Sequence, residues 1–225
     1  MADNLGKLRE EDVAVLKKNS TYRVSDIFYC RGWRWQEDRT SILNDAEFKD
    51  SILFDYLTEK RTVGFTCDGD VDFKTFRKIV KRHSEKNQYP QADPHHLVVH
   101  MRLGDVMEMQ RKDRCMNKYN EFYERESIKN LPITKVILVT ALHFGHNVSR
   151  NRFFYTPQAV RKSWKVIRDF ERQTHEAGLG LEVFSNENVD KDICFMASSR
   201  FFVKGETRLS SIVARCLHKD SKVCG

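Results

Sequence analysis

The sequence predicts an α/β fold, a parallel sheet covered by helices and preceded by a small helical and irregular N-terminal region. Three observations carry that expectation. Short, largely apolar runs alternate with amphipathic helical patterns four times after residue 95. Each run ends in a polar loop, and most of these loops contain glycine. A polar stretch at residues 87–94, with two prolines, separates this regular part from what precedes it, dividing the chain into residues 1–92 and 93–225.

In residues 1–92, Leu5, Leu8, Val15 and Leu16 lie among charges and suggest an amphipathic helix, followed by an irregular, aromatic-rich stretch at residues 22–35. Residues 45–60 and 72–87 read as helices. A strand-like Thr62-Val63-Gly64-Phe65-Thr66 and a turn at residues 67–70 lie between them. In residues 93–225, Leu97-Val98-Val99-His100-Met101 reads as a buried strand, residues 117–130 as a helix, and residues 135–140 as a second strand. Thr156-Pro157 supplies a cap and first-turn proline for a helix with an apolar stripe of Val160, Trp164, Ile167 and Phe170, and Gly178 stops it. Residues 181–185 read as a third strand, 190–198 as a short helix, 201–203 as a fourth strand and 209–217 as a final helix. Ligands of such sheets bind beyond the carboxyl ends of the strands. Here those ends are residues 100–105, 140–146, 185–188 and 204–210.

The 225 residues suffice for one domain with a modest extension, and 40% hydrophobic against 32% charged residues describes a folded chain with a well-solvated surface. A formal charge of +7 favours an anionic partner without choosing one. The basic residues are dispersed among acidic ones, and no repeated aromatic-basic spacing marks a nucleic-acid groove, so nucleic acid is not the expected partner. The six cysteines form no C-x-x-C pair, so reduced thiols are expected. The N-terminal Met-Ala-Asp-Asn carries no apolar leader, and no run approaches the roughly 18 apolar residues of a membrane span. The expected location is the cytoplasm.

The most informative stretch is Val98-Val99-His100-Met101-Arg102-Leu103-Gly104-Asp105-Val106, a strand running directly into a turn. Arg102 there can clamp a diphosphate with a planar fork of donors that lysine does not reproduce. Gly104 permits close backbone approach, and Asp105 can orient Arg102 or accept from a ligand hydroxyl. The simpler alternative is a strand-end turn in which Arg102 and Asp105 pair on the surface.

This stretch resembles the H-V-R-R-G-D motif of the α-1,2-fucosyltransferases and is similar to the H-x-R-x-x-D of α-1,6- and protein O-fucosyltransferases. Val183-Phe184-Ser185-Asn186-Glu187 resembles the family's F-S-D-D strand end. Residues 196–203 resemble its helix-to-strand passage, and residues 205–214 resemble its S-S-F-S-W-W-A segment. The resemblance spans roughly residues 95–217. Leu103 stands where the family has a second arginine, and the family's opening G-G-L-G-N-Q segment has no counterpart.

The resemblance implies a Rossmann-like, GT-B-like donor-binding half, with the acceptor part reduced or divergent. The implied activity is inverting, metal-independent transfer of a sugar, fucose from GDP-fucose by analogy, to a hydroxyl of a glycan or glycoprotein acceptor. No cofactor is implied beyond the nucleotide-sugar donor. Arg102, Asp105 and His100 would be catalytic, with Arg102 stabilising the leaving diphosphate. Gly104, Ser185, Asn186, Glu187, Thr207, Arg208, Leu209, Ser210 and Ser211 would bind the donor, partly through the N-terminus of the last helix. Asp105, Glu108 and His100 are the nearest candidates for the base. The alternative is a non-catalytic module of that fold that binds a nucleotide diphosphate or another polyanion.

Other features point to commoner explanations. Asp68-Gly69-Asp70 matches a metal-binding D-x-D but equally a solvated turn, and Ile79 at the twelfth position excludes a calcium loop. His95, His96, His143 and His146 lack the cysteine partners of a zinc set, and the latter two are expected in a loop. Trp33 and Trp35 alternate at strand spacing and could stack on a sugar ring or base, though core packing is the usual role.

Overall fold

The computed structural model describes residues 49–60, 72–104, 107, 122–140, 142–143, 146–147, 152–153, 157–184, 188–205 and 207–224. The expectations for residues 5–18, 22–35 and 62–71 therefore lie outside the described residues.

Two helices come first, α1 (Ile52–Lys60) and α2 (Phe73–Asn87). Strand β1 (His96–His100) follows, then a two-residue strand β2 (Leu103–Gly104). Of the stretch 117–130 expected as one helix, residues 122–130 are described, and they form a 3-10 turn at Phe122–Glu124 and the four-residue α3 (Glu126–Lys129). The chain continues through β3 (Lys135–Val139), the two-residue strands β4 (Leu142–His143), β5 (His146–Asn147) and β6 (Arg152–Phe153), and the long α4 (Pro157–Glu176). His143 and His146, expected in a loop, thus sit in short strand pairings. Then come β7 (Gly180–Phe184), α5 (Val189–Ala197), β8 (Phe201–Val203), α6 (Arg208–Cys216) and β9 (Lys222–Cys224).

Five strands form a parallel sheet in the order β7-β3-β1-β8-β9. In chain order these are the third, second, first, fourth and fifth strands of that sheet. The chain therefore builds outward from β1 in one direction and then crosses back to build in the other, as in Rossmann-like sheets. The fifth strand, β9, was not read from the sequence. Its three residues are too few to show a period.

Strand alternation divides the core into two layers. Val98, Ile137, Val139 and Phe202 face α1, α2, α5 and α6, where Ile52, Phe76, Ile79, Ile193 and Val213 complete one apolar cluster. Leu97, Val99, Val136, Leu138 and Phe201 face the opposite way, onto Phe122, Ile128, Val166, Ile167 and Phe170. Both faces are covered, so β1 and β3 are buried from their second residue onward, as expected of an all-parallel sheet. The outer strand β7 differs. Glu182 and Val183 are exposed, with Val183 at 42%, and Glu182 pairs with Lys135 at 2.7 Å.

The helix ends follow their local chemistry. Asp72 caps α2 by accepting from the N–H groups of Lys74 and Thr75, each at 3.1 Å. α4 ends at Gly178, whose φ of 76° lets its N–H reach His175 O while that of Leu179 reaches Thr174 O, the paired bonds of a Schellman stop. At α5, Asn188 caps by accepting from the Asp190 N–H at 2.9 Å, and the buried Asp190 carboxylate accepts from Ile52 N–H at 3.0 Å. One carboxylate thus serves the N-termini of α1 and α5 together. Among the described residues no helix is long and apolar enough to cross a membrane.

Candidate functional site

In a sheet of this order, the connections leaving β1 and β8 depart in opposite directions, which opens a crevice beyond their carboxyl ends. β1 ends at His100 and β8 at Val203, side by side and parallel, with Val99 opposite Val203. The turn at residues 100–104 sits at this point.

His100 is 8% exposed, on the α6 side of the sheet, and its Nδ1 hydrogen-bonds Ser210 Oγ. Ser210 lies in the first turn of α6 and is fully buried. Its Oγ also accepts from the Gly205 N–H at 3.1 Å, and its own N–H donates to Thr207 Oγ1, the cap of α6, at 3.1 Å. The hydroxyl and Nδ1 share one hydrogen bond, and which of them donates depends on the imidazole tautomer. Complete burial removes Ser210 from consideration as an attacking nucleophile. It locks the ring and the helix end to each other.

Gly205 makes this contact possible. A Cβ there would stand 2.6 Å from the His100 carbonyl oxygen and 3.0 Å from its Nδ1, closer than real side chains come to backbone. Only glycine lets the end of β8 approach the end of β1 so closely.

The turn is also held from the other layer. Met101 N–H continues the ladder to Val139 O at 3.0 Å, and Gly104 N–H donates to the buried Ser163 Oγ of α4 at 3.0 Å. Gly104 has a φ of 84°, a left-handed conformation that glycine adopts freely. Arg102 lies half-buried between these two anchor points. The His-Met-Arg-Leu-Gly turn is therefore clasped from both helix layers, by Ser210 on one side and Ser163 on the other. Close by in the sheet, Thr140 ends β3 with its N–H on Phe184 O, and its buried Oγ1 meets no hydrogen-bond partner among the described residues.

The structure thus brings together His100, Arg102 and Gly104 from one segment with Thr207 and Ser210 from another, about a hundred residues later in the chain. Ser211 is half-buried and its hydroxyl is committed to Thr207 O at 3.1 Å. Leu209 is buried in the core cluster with Ile212 and Val213, a packing position. Asp105, Ser185, Asn186 and Glu187 lie outside the described residues, as does the side chain of Arg208. Gly205, Ser163 and Thr140 were not singled out as site residues in the sequence. For Gly205 a signal existed, a glycine between a strand end and a helix cap. Nothing local marks Ser163, a small residue on the buried face of α4.

Among the described residues no three His, Cys, Asp or Glu side chains converge as metal ligands would. Comparison of the chain with family models, with curated proteins and with solved structures finds no match.

Proposed function

We propose that the chain binds a nucleoside-diphosphate sugar in the crevice between β1 and β8 and transfers the sugar, with inversion, to a hydroxyl of a glycan or glycoprotein acceptor. The observation that supports this reading is the double clasp of the 100–104 turn, which ties the segment carrying Arg102 to the capped N-terminus of α6 through His100 and Ser210. A guanidinium and a helix N-terminus facing one crevice would supply the positive field that a departing diphosphate needs. The resemblance of residues 95–217 to GT-B-like fucosyltransferases points the same way and suggests GDP-fucose as the donor.

In this reaction the acceptor oxygen attacks the anomeric carbon from the face opposite the diphosphate. The bond from that carbon to the β-phosphate oxygen breaks, and the nucleoside diphosphate leaves with the bonding pair. The acceptor's hydroxyl proton passes to a base. With Nδ1 held by Ser210, His100 meets the leaving diphosphate through Nε2, and the base is Asp105 or Glu108.

The test is thermal unfolding with GDP, UDP, ADP and their sugars. One ligand at a hundred times its Kd adds about 2.7 kcal/mol of stability. Selective stabilisation by one nucleoside diphosphate is expected, together with its loss in a folded Arg102→Ala variant. No shift at millimolar ligand, or a shift unchanged in that variant, rejects the site. Binding without turnover would leave a nucleotide-diphosphate-binding module.

A further inference from the structure

Helix α4 (Pro157–Glu176) runs back along the sheet and delivers the chain to β7 at Gly180. Its last turn therefore lies at the amino ends of the strands and its first turns at the carboxyl ends, where the crevice opens. Ser163 agrees with this placement, accepting from the Gly104 N–H just beyond β1 at 3.0 Å. Ser163, Val166, Ile167, Phe170 and Thr174 are buried on the side of α4 that packs on the sheet. Arg161, Lys165, Arg168 and Arg172 are exposed on the opposite side, separated by four, three and four residues, the spacing of one helical stripe. The stripe covers about 16 Å along the helix axis.

The charges of α4 stand in the reverse of the order that a helix favours. Its first half carries Arg161, Lys162, Lys165 and Arg168, and no acidic residue of the helix precedes Asp169. Its second half carries Asp169, Glu171 and Glu176. The partial positive charge of a helix N-terminus and the partial negative charge of its C-terminus both favour the opposite arrangement. Arg172, in the acidic half, is shared between Asp169 at 3.8 Å and Glu176 at 3.5 Å. Arg161, Lys162 and Lys165 have no ion-pair partner among the described residues. The helix thus gives up stability to gather uncompensated positive charge at the crevice end of the sheet.

We infer that the outer face of the first half of α4 docks an anionic glycan, one bearing sulfate or uronate groups, as the extended part of the acceptor. The inference rests on the proposed reaction, which makes the acceptor a glycan. The residues beside the cations select this chemistry. A membrane surface requires apolar side chains that insert between the lipids, and single-stranded nucleic acid requires aromatic ones on which bases stack. The exposed residues described in α4 include no Phe, Tyr, Trp, Leu, Ile, Val or Met. Trp164 is half-buried and packs against the core. A hydrophilic chain with charges at intervals requires only a row of cations, and arginine holds sulfate and carboxylate oxygens through paired N–H donors.

The probes are heparin, a sulfated glycan, and hyaluronate, which carries uronate alone, with dextran as the neutral control. Each is titrated calorimetrically into the 225-residue chain over a range of salt concentrations. Binding of at least one of the two anionic glycans, and none of dextran, is expected. The double variant Arg161→Ala/Lys165→Ala is expected to weaken that binding about fivefold or more. The slope of log affinity against log salt should fall by about two, one for each cation removed. Lys74→Ala/Lys78→Ala removes two exposed lysines from α2 in the other layer and is expected to change affinity by less than about twofold. All four positions are exposed and alanine favours helix, so both variants fold. The Tm of the α4 variant is expected to equal or exceed that of wild type, since its lost cations opposed the helix dipole.

Equal weakening in the two variants overturns the inference, because binding would then follow the overall charge of +7 rather than this face. Polyuridylate, polyglutamate or phosphatidylserine vesicles bound more tightly than either glycan, and lost in the α4 variant, would give the face to another class of partner and reject it as well. The donor site is read separately. Arg161 and Lys165 lie on the side of α4 away from Gly104, so the thermal shift with nucleoside diphosphates is expected to be the same in the α4 variant and wild type. That shift without any glycan binding rejects the inference and leaves the donor reading standing. Glycan binding at α4 without that shift rejects the donor reading, and with it the acceptor role of this face.

Discussion

The two ends of helix α6 solve opposite problems with the same nine residues. At the N-terminal end a glycine brings backbone against backbone. Thr207, Ser210, Gly205 and His100 form one connected set with little room to adjust. At the C-terminal end, Cys216 and His218 border a cavity of about 710 Å³ with a mainly apolar floor. The tight end fixes the His100 ring against the first turn of α6. The loose end leaves space. Orientation requires close geometry, and the cavity end is free of that constraint.

The sharpest way to break this contrast is to add one carbon at the tight end. Gly205→Ala forces a Cβ to within 2.6 Å of the His100 carbonyl oxygen, and the backbone has to move. A loss of about 2–3 kcal/mol is expected, read from the midpoint of urea unfolding. A loss below 0.5 kcal/mol would mean that the two strand ends are not held as closely as described. Next comes Ser210→Ala, which strands a buried imidazole nitrogen and the Gly205 N–H at once. The expected cost is about 1–3 kcal/mol, with nucleotide stabilisation reduced in proportion as His100 turns. Thr207→Ala removes only the cap bond to the Ser210 N–H and should cost about 1 kcal/mol, seen as a small fall in Tm.

The loose end responds to pH. Burial raises the Cys216 thiol from its ordinary 9.0 to about 12, partly opposed by the Arg77 guanidinium. The folded state thus holds this proton more tightly than the unfolded chain. The resulting stability is complete below pH 9 and is lost as pH rises towards 12. Burial raises Cys194 and Tyr123 in the same direction. Stability measured by urea unfolding should therefore fall between pH 9 and pH 12, and the fall should be shallower in Cys216→Ala. The same slope in both proteins would show that this thiol ionises as freely folded as unfolded.

How much of this was legible in the sequence depends on distance along the chain. Strands β1, β3, β7 and β8 and helices α4, α5 and α6 lie within a residue or two of their sequence-derived limits. Their signals are local, consisting of apolar runs, the Thr156-Pro157 start, and Gly178 as a stop. The stretch at residues 117–130 misled because its charged and apolar residues mimic a helical period. In the structure the chain forms a short turn and one helical turn, seating Phe122 and Ile128 in the core. The pairing of His100 with Ser210 spans 110 residues. The expectation that ligands lie beyond the carboxyl ends of the strands, together with the resemblance to fucosyltransferases, put the two segments at one end of the sheet, but neither named this pair. Gly205 and Ser163 act through contacts with the 100–104 turn that no spacing rule encodes.

Among the described residues the sheet has two outer strands, and each exposes a valine, Val183 on β7 and Val223 on β9. An open strand edge with apolar side chains is a template on which further copies can stack. Beside each valine stands an exposed charge of constant sign, Glu182 on one edge and Lys222 on the other. A second molecule adding β7 to β7 brings Glu182 towards its twin, and one adding β9 to β9 does the same with Lys222. Like charges facing across strands repel. Symmetric extension of the sheet is therefore penalised at both margins, and the chain carries its own guard against aggregation at the places where its backbone is most open to it.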